Sequence, residues 1–383
     1  MRYLWLLLCI PWFLVSQVTL QKSDEIWQLQ VDGEPFDIKG VTFGYDDDPA
    51  NFMVYFKDLK SIGVNTIRTW GTGPNTSLLL EAAERHNIKV LLGIWMRHGR
   101  PGMEADDSFD YLKDIDGMEV MYNTAIDVVR RFKGHPAVLA WGIGNEVYLN
   151  TETDEEKIAY SKFLERVCKD IKSMDKMHPI LSVEAWTFGL DWWEQYVPSL
   201  DIYGLNVYGA GADLLQEELD KRQIDKPYVI TEFGVRGEWD IKTKEYGVTK
   251  EPSDAEKYNV IVEGYNNWVV PKPSCLGVYV FHYGDGNHFA APWLLTHVKG
   301  FKRPFFNGGK FCGESFDLLF TKLRFIHTNP VVNICLLTLG VMGFEGAAHQ
   351  SPVDYVVSWL LHLTFTIFII KGPDIALCIK DII

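Results

Sequence analysis

Two short segments, Trp141-Gly-Ile-Gly-Asn-Glu146 and Thr231-Glu-Phe-Gly234, each close an apolar, strand-like run with a glutamate or place one near its end. Two carboxyls held face to face are the equipment that cleavage of a glycosidic bond requires. The reaction passes through an oxocarbenium-like transition state, so one carboxyl protonates the leaving oxygen while the other attacks or stabilises the anomeric carbon. The two roles make opposite demands. The carboxyl that serves as general acid has to hold a proton, and the one that serves as nucleophile has to stay ionised.

The elements that would bring these groups together are legible from residue 36 onward. Short β-rich apolar runs alternate with amphipathic helical stretches, the pattern of a parallel sheet built from βα units. Strands are expected at 36–44, 64–70, 88–95, 137–146, 179–186, 200–208, 227–234 and 276–283. Helices are expected at 49–61, 76–86, 117–132, 154–174, 190–196, 212–222 and 254–268. Seven βα units and a closing strand predict an α/β fold of the (β/α)8 TIM barrel class. Turn chemistry agrees: Ile62-Gly63-Val64 puts a glycine where a helix C-terminal cap is wanted, and His178-Pro179 and Lys226-Pro227 stop a chain segment just before a strand. An open doubly wound sheet is the competing solution, but it carries a Gly-rich nucleotide loop after its first strand. Here that strand runs into Gly44-Tyr-Asp-Asp-Asp-Pro49.

Parity adds a finer expectation for the fourth strand. Val138, Ala140, Gly142, Gly144 and Glu146 share one face, and Leu139, Trp141 and Ile143 share the other. The small set suits a crowded barrel interior and the bulky set suits contact with helices. A bulge at Gly144 would overturn this assignment.

The chain has 383 residues, room for one large barrel or two ordinary domains, and 47% hydrophobic content to build a core. A net charge of -14 argues against binding nucleic acid or an anionic membrane through bulk electrostatics. A neutral or weakly charged ligand is favoured. Aromatic residues reach 14%, enough for a core and for the flat platforms on which sugars stack. The histidines show neither H-E-x-x-H nor C-x-x-C spacing, so no metal and no cofactor is expected. Asp46-Asp-Asp48 and Asp106-Asp107 read as solvated loops and do not resemble a calcium-binding loop.

The termini differ from this body. Residues 1–16 carry one basic residue, a short apolar run and a closing Ser16, the pattern of a secretory signal peptide cleaved there. A secreted, extracellular protein is expected, in agreement with the glycosylation sequon Asn75-Thr-Ser77. Beyond Cys9, Cys168, Cys275, Cys312, Cys335 and Cys378 remain, an odd set that cannot pair completely. Cys168 shares a helical apolar stripe with Leu164 and Ile171 and reads as a buried thiol. The catalytic barrel is expected over 24–300, followed by an irregular C-terminal extension, 301–383, of unknown role. Its apolar stretches 331–344 and 355–370 fall short of the roughly 20 residues of a straight membrane span, and the ending Lys380-Asp-Ile-Ile383 differs from a lipid-anchor signal. Membrane association through this tail is therefore the secondary reading.

Four stretches carry a family resemblance: Val31-Asp-Gly-Glu-Pro-Phe-Asp-Ile-Lys-Gly-Val41, Asn65-Thr-Ile-Arg-Thr-Trp70, Val138-Leu-Ala-Trp-Gly-Ile-Gly-Asn-Glu146 and Lys226-Pro-Tyr-Val-Ile-Thr-Glu-Phe-Gly234. Together, over residues 28–285, they resemble the catalytic barrel of clan A glycoside hydrolases, closest to glycoside hydrolase family 2. The resemblance implies a retaining glycosidase that acts on a β-linked glycan by double displacement, with Glu146 as acid/base and Glu232 as nucleophile. It also implies that Arg68 holds Glu232 as an anion, that Asn145 donates to the substrate 2-hydroxyl, and that Tyr208 hydrogen-bonds the nucleophile. Trp95, Trp186 and Tyr283 at other strand ends are candidate stacking platforms.

The chain departs from that pattern in three places. Asn206, also a substrate-binding candidate, stands where many clan members have histidine, and the eighth strand reads Phe281-His-Tyr283 where they end in tryptophan. Residues 17–36 leave no room for the β-sandwich domains that usually precede the family 2 barrel. The partner is thus expected to be an oligo- or polysaccharide of unspecified sugar. A transglycosylase using the same residues and a catalytically inactive carbohydrate-binding barrel are the alternatives.

Overall fold

The strand β4 (Ile38–Phe43) pairs on one side with β5 (Thr66–Arg68) and on the other with β11 (Cys275–Tyr283). This closes a ring that continues through β6 (Lys89–Ile94), β7 (Val138–Asn145), β8 (Ile180–Ala185), β9 (Ile202–Tyr208) and β10 (Tyr228–Gly234), with every neighbour parallel. The computed structural model describes residues 17–99, 108–237, 252–284, 297–298 and 301–302. The expected signal peptide, Asp106-Asp107, the apolar stretches of the C-terminal extension and Cys312, Cys335 and Cys378 lie outside the described residues.

Helices α1 (Phe52–Ser61), α2 (Thr76–Arg85), α3 (Ile115–Phe132), α4 (Asp154–Met174), α5 (Leu190–Tyr196), α6 (Gly211–Lys221) and α7 (Asp254–Gly264) connect successive strands, so the chain folds as the (β/α)8 TIM barrel that its periodicity predicts. Local chemistry fixes several boundaries. The Thr153 hydroxyl accepts the Glu156 N–H and three acidic residues fill the first turn of α4, satisfying its free amides and its dipole. Ser253 and Glu256 form a reciprocal capping box at α7. Gly63, at φ 86°, takes the left-handed position that ends α1.

The apolar residues divide into two cores. One lies between the strands and the helices and includes Phe56, Trp141, Trp193, Tyr203 and Tyr228. Cys168 is a free, buried thiol in this layer, as its helical stripe predicts. The other fills the barrel interior with Leu91, Leu139, Ala140, Leu181, Val183, Val229 and Tyr279. Gly40 is small because the Tyr279 ring occupies the space: an added Cβ would lie 2.3 Å from it.

The interior core also contains Val18, Leu29 and Val31. These belong to an antiparallel sheet of β1 (Val18–Ser23), β2 (Ile26–Val31) and β3 (Glu34–Pro35), which precedes the barrel. Its backbone bonds to the segments entering two strands, Val18 N–H to the Met177 carbonyl and Trp27 N–H to the Pro273 carbonyl, 2.8 Å each. The small sheet thus plugs the N-terminal end of the barrel, and the open mouth is at the C-terminal ends of the strands. These three strands precede the expected set, although the alternation from 26 to 31 and the Asp32-Gly33 turn are visible in the sequence.

Parity is corrected in β7. An extra residue, Leu139, enters between the pairs Val90–Val138 and Leu91–Ala140, so Leu139 joins Ala140 in the interior core instead of facing the helices. A second shift separates Ile143–Ser182 from Asn145–Val183, leaving Gly144 bulged at φ 74°. Among the described residues no helix is long and apolar enough to cross a membrane.

Leu29→Ala removes a side chain that is 2% exposed at the plug. The expected loss is about 2–5 kcal/mol of unfolding free energy, read from the urea midpoint.

Candidate active site

Arg68 ends β5 pointing into the mouth, 2% exposed. A guanidinium so far from water needs acceptors on its fork, and three converge on it. Its Nη1 donates to Glu232 Oε1 at 2.9 Å and to the Thr231 carbonyl at 3.0 Å, and its Nη2 donates to Asn145 Oδ1 at 2.6 Å. The Thr231 carbonyl lies in the right place because β10 is bulged there: Ile230 pairs with Leu205 and Glu232 with Asn206, one residue too many on the β10 side.

Glu232 is 7% exposed and is held on both oxygens. Oε1 accepts from Arg68 and from the Trp70 indole N–H at 3.0 Å, and Oε2 accepts from the Tyr208 hydroxyl at 2.6 Å. Trp70 reaches this position because the chain after β5 folds tightly over Gly93, where an added Cβ would meet the Trp70 carbonyl carbon at 2.4 Å. Burial raises the Tyr208 phenol well above its ordinary range, with Glu232 the next cause, so Tyr208 remains a donor.

The Gly144 bulge does the corresponding work on β7. It turns Asn145 inward so that its Oδ1 accepts the Arg68 N–H, and the left-handed Glu146, at φ 51°, then brings the next side chain to the same mouth. Asn206 joins the two. Its Nδ2 donates to Glu146 Oε1 at 2.8 Å and to Asn145 Oδ1 at 3.2 Å, and its Oδ1 accepts from the Thr231 hydroxyl at 2.8 Å. A continuous path of hydrogen bonds therefore runs from Glu232 through Arg68, Asn145 and Asn206 to Glu146.

Six sequence-predicted residues are thus brought together: Arg68, Asn145, Glu146, Asn206, Tyr208 and Glu232. Trp95 and Trp186 sit partly exposed beyond β6 and β8, Trp95 tilted against His98 and Trp186 against the start of α6 at Gly211. Tyr283 is a correction. A register shift between Val280–Val41 and Tyr283–Phe43 turns it away from the mouth, into the aromatic cluster of Phe43, Tyr45 and Tyr55, where it is fully buried. Phe281 takes the place at the site, edge-on to Trp70 and Tyr208 with ring centroids 6.0 Å from each.

Trp70 and Thr231 escaped the sequence reading. Trp70 was detectable, two residues beyond Arg68 and of the same parity, whereas Thr231 contributes through a bulge that local pattern does not show.

A closed barrel with a hydrogen-bonded carboxylate pair at its C-terminal mouth defines the class. The family model described as "Glycosyl hydrolases family 2, TIM barrel domain" matches residues 37–269, and the chain belongs to that family. The human β-glucuronidase is 26% identical over 242 residues, 57% of this chain and 33% of that protein. A probable mannan endo-1,4-β-mannosidase A-2 from Aspergillus terreus is 28% identical over 165 residues, 39% of each. The β-galacturonidase from Eisenbergiella tayi, solved bound to galacturonate, superposes with a TM-score of 0.51 at 19% identity, covering 70% of this chain and 46% of that one. The chain spans about a third of the length of the β-glucuronidases that it matches.

Arg68→Met leaves the Glu232 carboxylate buried without its cation. The expected cost is about 3–5 kcal/mol in chemical denaturation.

Proposed function

We propose that the chain is a glycoside hydrolase that cleaves O-glycosidic bonds of a β-linked glycan with retention, Glu146 serving as acid/base and Glu232 as nucleophile. The observation that carries this reading is the unequal treatment of the two carboxyls. Glu232 is gripped by a guanidinium, an indole and a phenol, donors that suit an anion aimed at an anomeric carbon. Glu146 is partly exposed and takes a neutral amide from Asn206 on Oε1. That amide makes Oε1 an acceptor and adds no positive charge that would hold Glu146 as an anion.

In the first step Glu146 protonates the leaving oxygen while Glu232 attacks the anomeric carbon, forming a glycosyl-enzyme. Glu146, now a base, takes a proton from water, and the resulting attack releases the sugar and frees Glu232. Asn145, with Oδ1 occupied by Arg68 and Asn206, presents Nδ2 as the donor for the 2-hydroxyl. The human and fungal relatives, a β-glucuronidase and a probable endo-1,4-β-mannosidase, are both named for β-linked substrates, which supports the β preference. The leader-like residues 1–16 and the Asn75 sequon support secretion.

Glu232→Ala is expected to abolish turnover of chromogenic β-glycosides and to regain it with azide as a substitute nucleophile. Undiminished activity without azide removes Glu232 from the mechanism. Glu146→Ala is expected to slow substrates with poor leaving groups about 10²–10⁴-fold and activated aryl glycosides far less. Binding without cleavage across glucosides, mannosides and glucuronides supports the inactive-barrel alternative instead. Secretion is checked separately: in a eukaryotic host the protein should reach the medium as a glycoform whose electrophoretic shift disappears in Asn75→Gln.

A further inference from the structure

The three donors on Glu232 are divided unevenly between its oxygens. Each oxygen of an ionised carboxyl offers two lone-pair directions. On Oε1 both are taken, by Arg68 Nη1 at 2.9 Å and by the Trp70 indole N–H at 3.0 Å. Oε2 accepts, among the described residues, only the Tyr208 hydroxyl at 2.6 Å. A lone pair is therefore left on Oε2 for a bond to carbon, and none is left on Oε1.

Trp70 is held to this contact by its neighbours. The Arg68 guanidinium carbon lies 5.4 Å from its ring centroid, and Phe281 meets the ring edge-on at 6.0 Å. Its main chain packs so closely on Gly93 that an added Cβ there would lie 2.3 Å from the Thr69 carbonyl oxygen and 2.4 Å from the Trp70 carbonyl carbon. An indole N–H can only donate. It stays a donor to Oε1 whether Glu232 is a carboxylate or an ester.

We propose that Oε2 is the oxygen that attacks the anomeric carbon, that Oε1 becomes the carbonyl oxygen of the glycosyl ester, and that Trp70 is a catalytic residue of the second step. The proposal rests on the reading of Glu232 as nucleophile. In the first step an Oε2 lone pair forms the bond to the anomeric carbon, and the bond to the leaving oxygen breaks with its electron pair as that oxygen takes the Glu146 proton. In the second, water bonds to the anomeric carbon and gives a proton to Glu146, while the ester bond breaks and its electron pair returns to the carboxyl. The returning charge spreads onto Oε1, where Trp70 and Arg68 donate. A hydrogen bond to an ionised acceptor is roughly twice as strong as one to a neutral acceptor, so Trp70 holds the carboxylate more tightly than the ester. That difference speeds release of the sugar and gives no help to formation of the ester.

The test is Trp70→Phe, which keeps an aromatic ring and removes the donor. The two steps are read separately with activated aryl β-glycosides of glucose, mannose and glucuronic acid in which fluorine replaces the sugar 2-hydroxyl, so that the ester accumulates. Loss of activity during trapping reports ester formation, and its return after removal of excess reagent reports ester breakdown. Return should slow about tenfold, the order expected for one hydrogen bond to a charged group, while trapping stays within about threefold of the unmodified protein. A merely structural role would slow both steps alike. Equal slowing, or an unchanged rate of return, overturns the proposal.

If Trp70→Phe does not fold, benzothienylalanine incorporated at position 70 keeps the bicyclic shape with sulfur in place of the N–H, and the same two rates decide under the same criteria. Absence of both trapping and β-glycoside cleavage in the unmodified protein sinks the reading of Glu232 as nucleophile. Trapping and recovery that ignore the loss of the indole N–H leave that reading standing and remove only the role of Trp70.

Discussion

A guanidinium buried at the barrel mouth sets the terms for everything around it. Arg68 has left bulk water, and its desolvation is offset only by acceptors arranged on its fork: the Glu232 carboxylate, the Thr231 carbonyl and the Asn145 side-chain oxygen. Those acceptors come from two other strands, so the ion pair ties β5 to β7 and β10 across the interior. The nucleophile candidate is oriented by the same contact that stabilises its charge, and the Trp70 indole and Tyr208 hydroxyl complete its hold.

Regular strands would not satisfy that cation. An ideal strand turns successive side chains to opposite faces, yet the site uses neighbours in pairs: Asn145 with Glu146, and Thr231 with Glu232. The extra residues at Gly144 and Thr231 break the alternation where it must break, and the shift in β11 likewise exchanges Tyr283 for Phe281 at the mouth. Below this layer the interior is apolar and plugged by the N-terminal sheet. The irregularities that shape the site lie at the C-terminal rim.

The two carboxyls are distinguished by what surrounds them more than by their positions in the barrel. Cationic and hydroxyl donors converge on Glu232, while Glu146 accepts the neutral amide of Asn206. Asn206 occupies the place where the resemblance leads one to expect histidine.

Much of this was legible in the amino-acid sequence. The order and approximate limits of the eight barrel strands and seven helices follow from hydrophobic periodicity and turn residues, which are local properties, and the glutamates at the ends of the fourth and seventh strands carry their chemical type with them. Arg68, Asn145, Asn206 and Tyr208 were found in the same way, from strand ends read together with family resemblance. The tertiary structure decided the rest. Bulges at Leu139, Gly144 and Thr231 are settled by pairing with the neighbouring strand, so parity within β7 misassigned Leu139, and a strand-end position alone did not show that Tyr283 turns away from the mouth. The plug formed by β1 to β3 depends on an open barrel end that exists only once the barrel is closed. Glu184 reads in sequence as one more strand-end carboxyl, and only the folded chain shows it buried and accepting the Tyr148 and Leu149 N–H groups of the turn that carries Glu146.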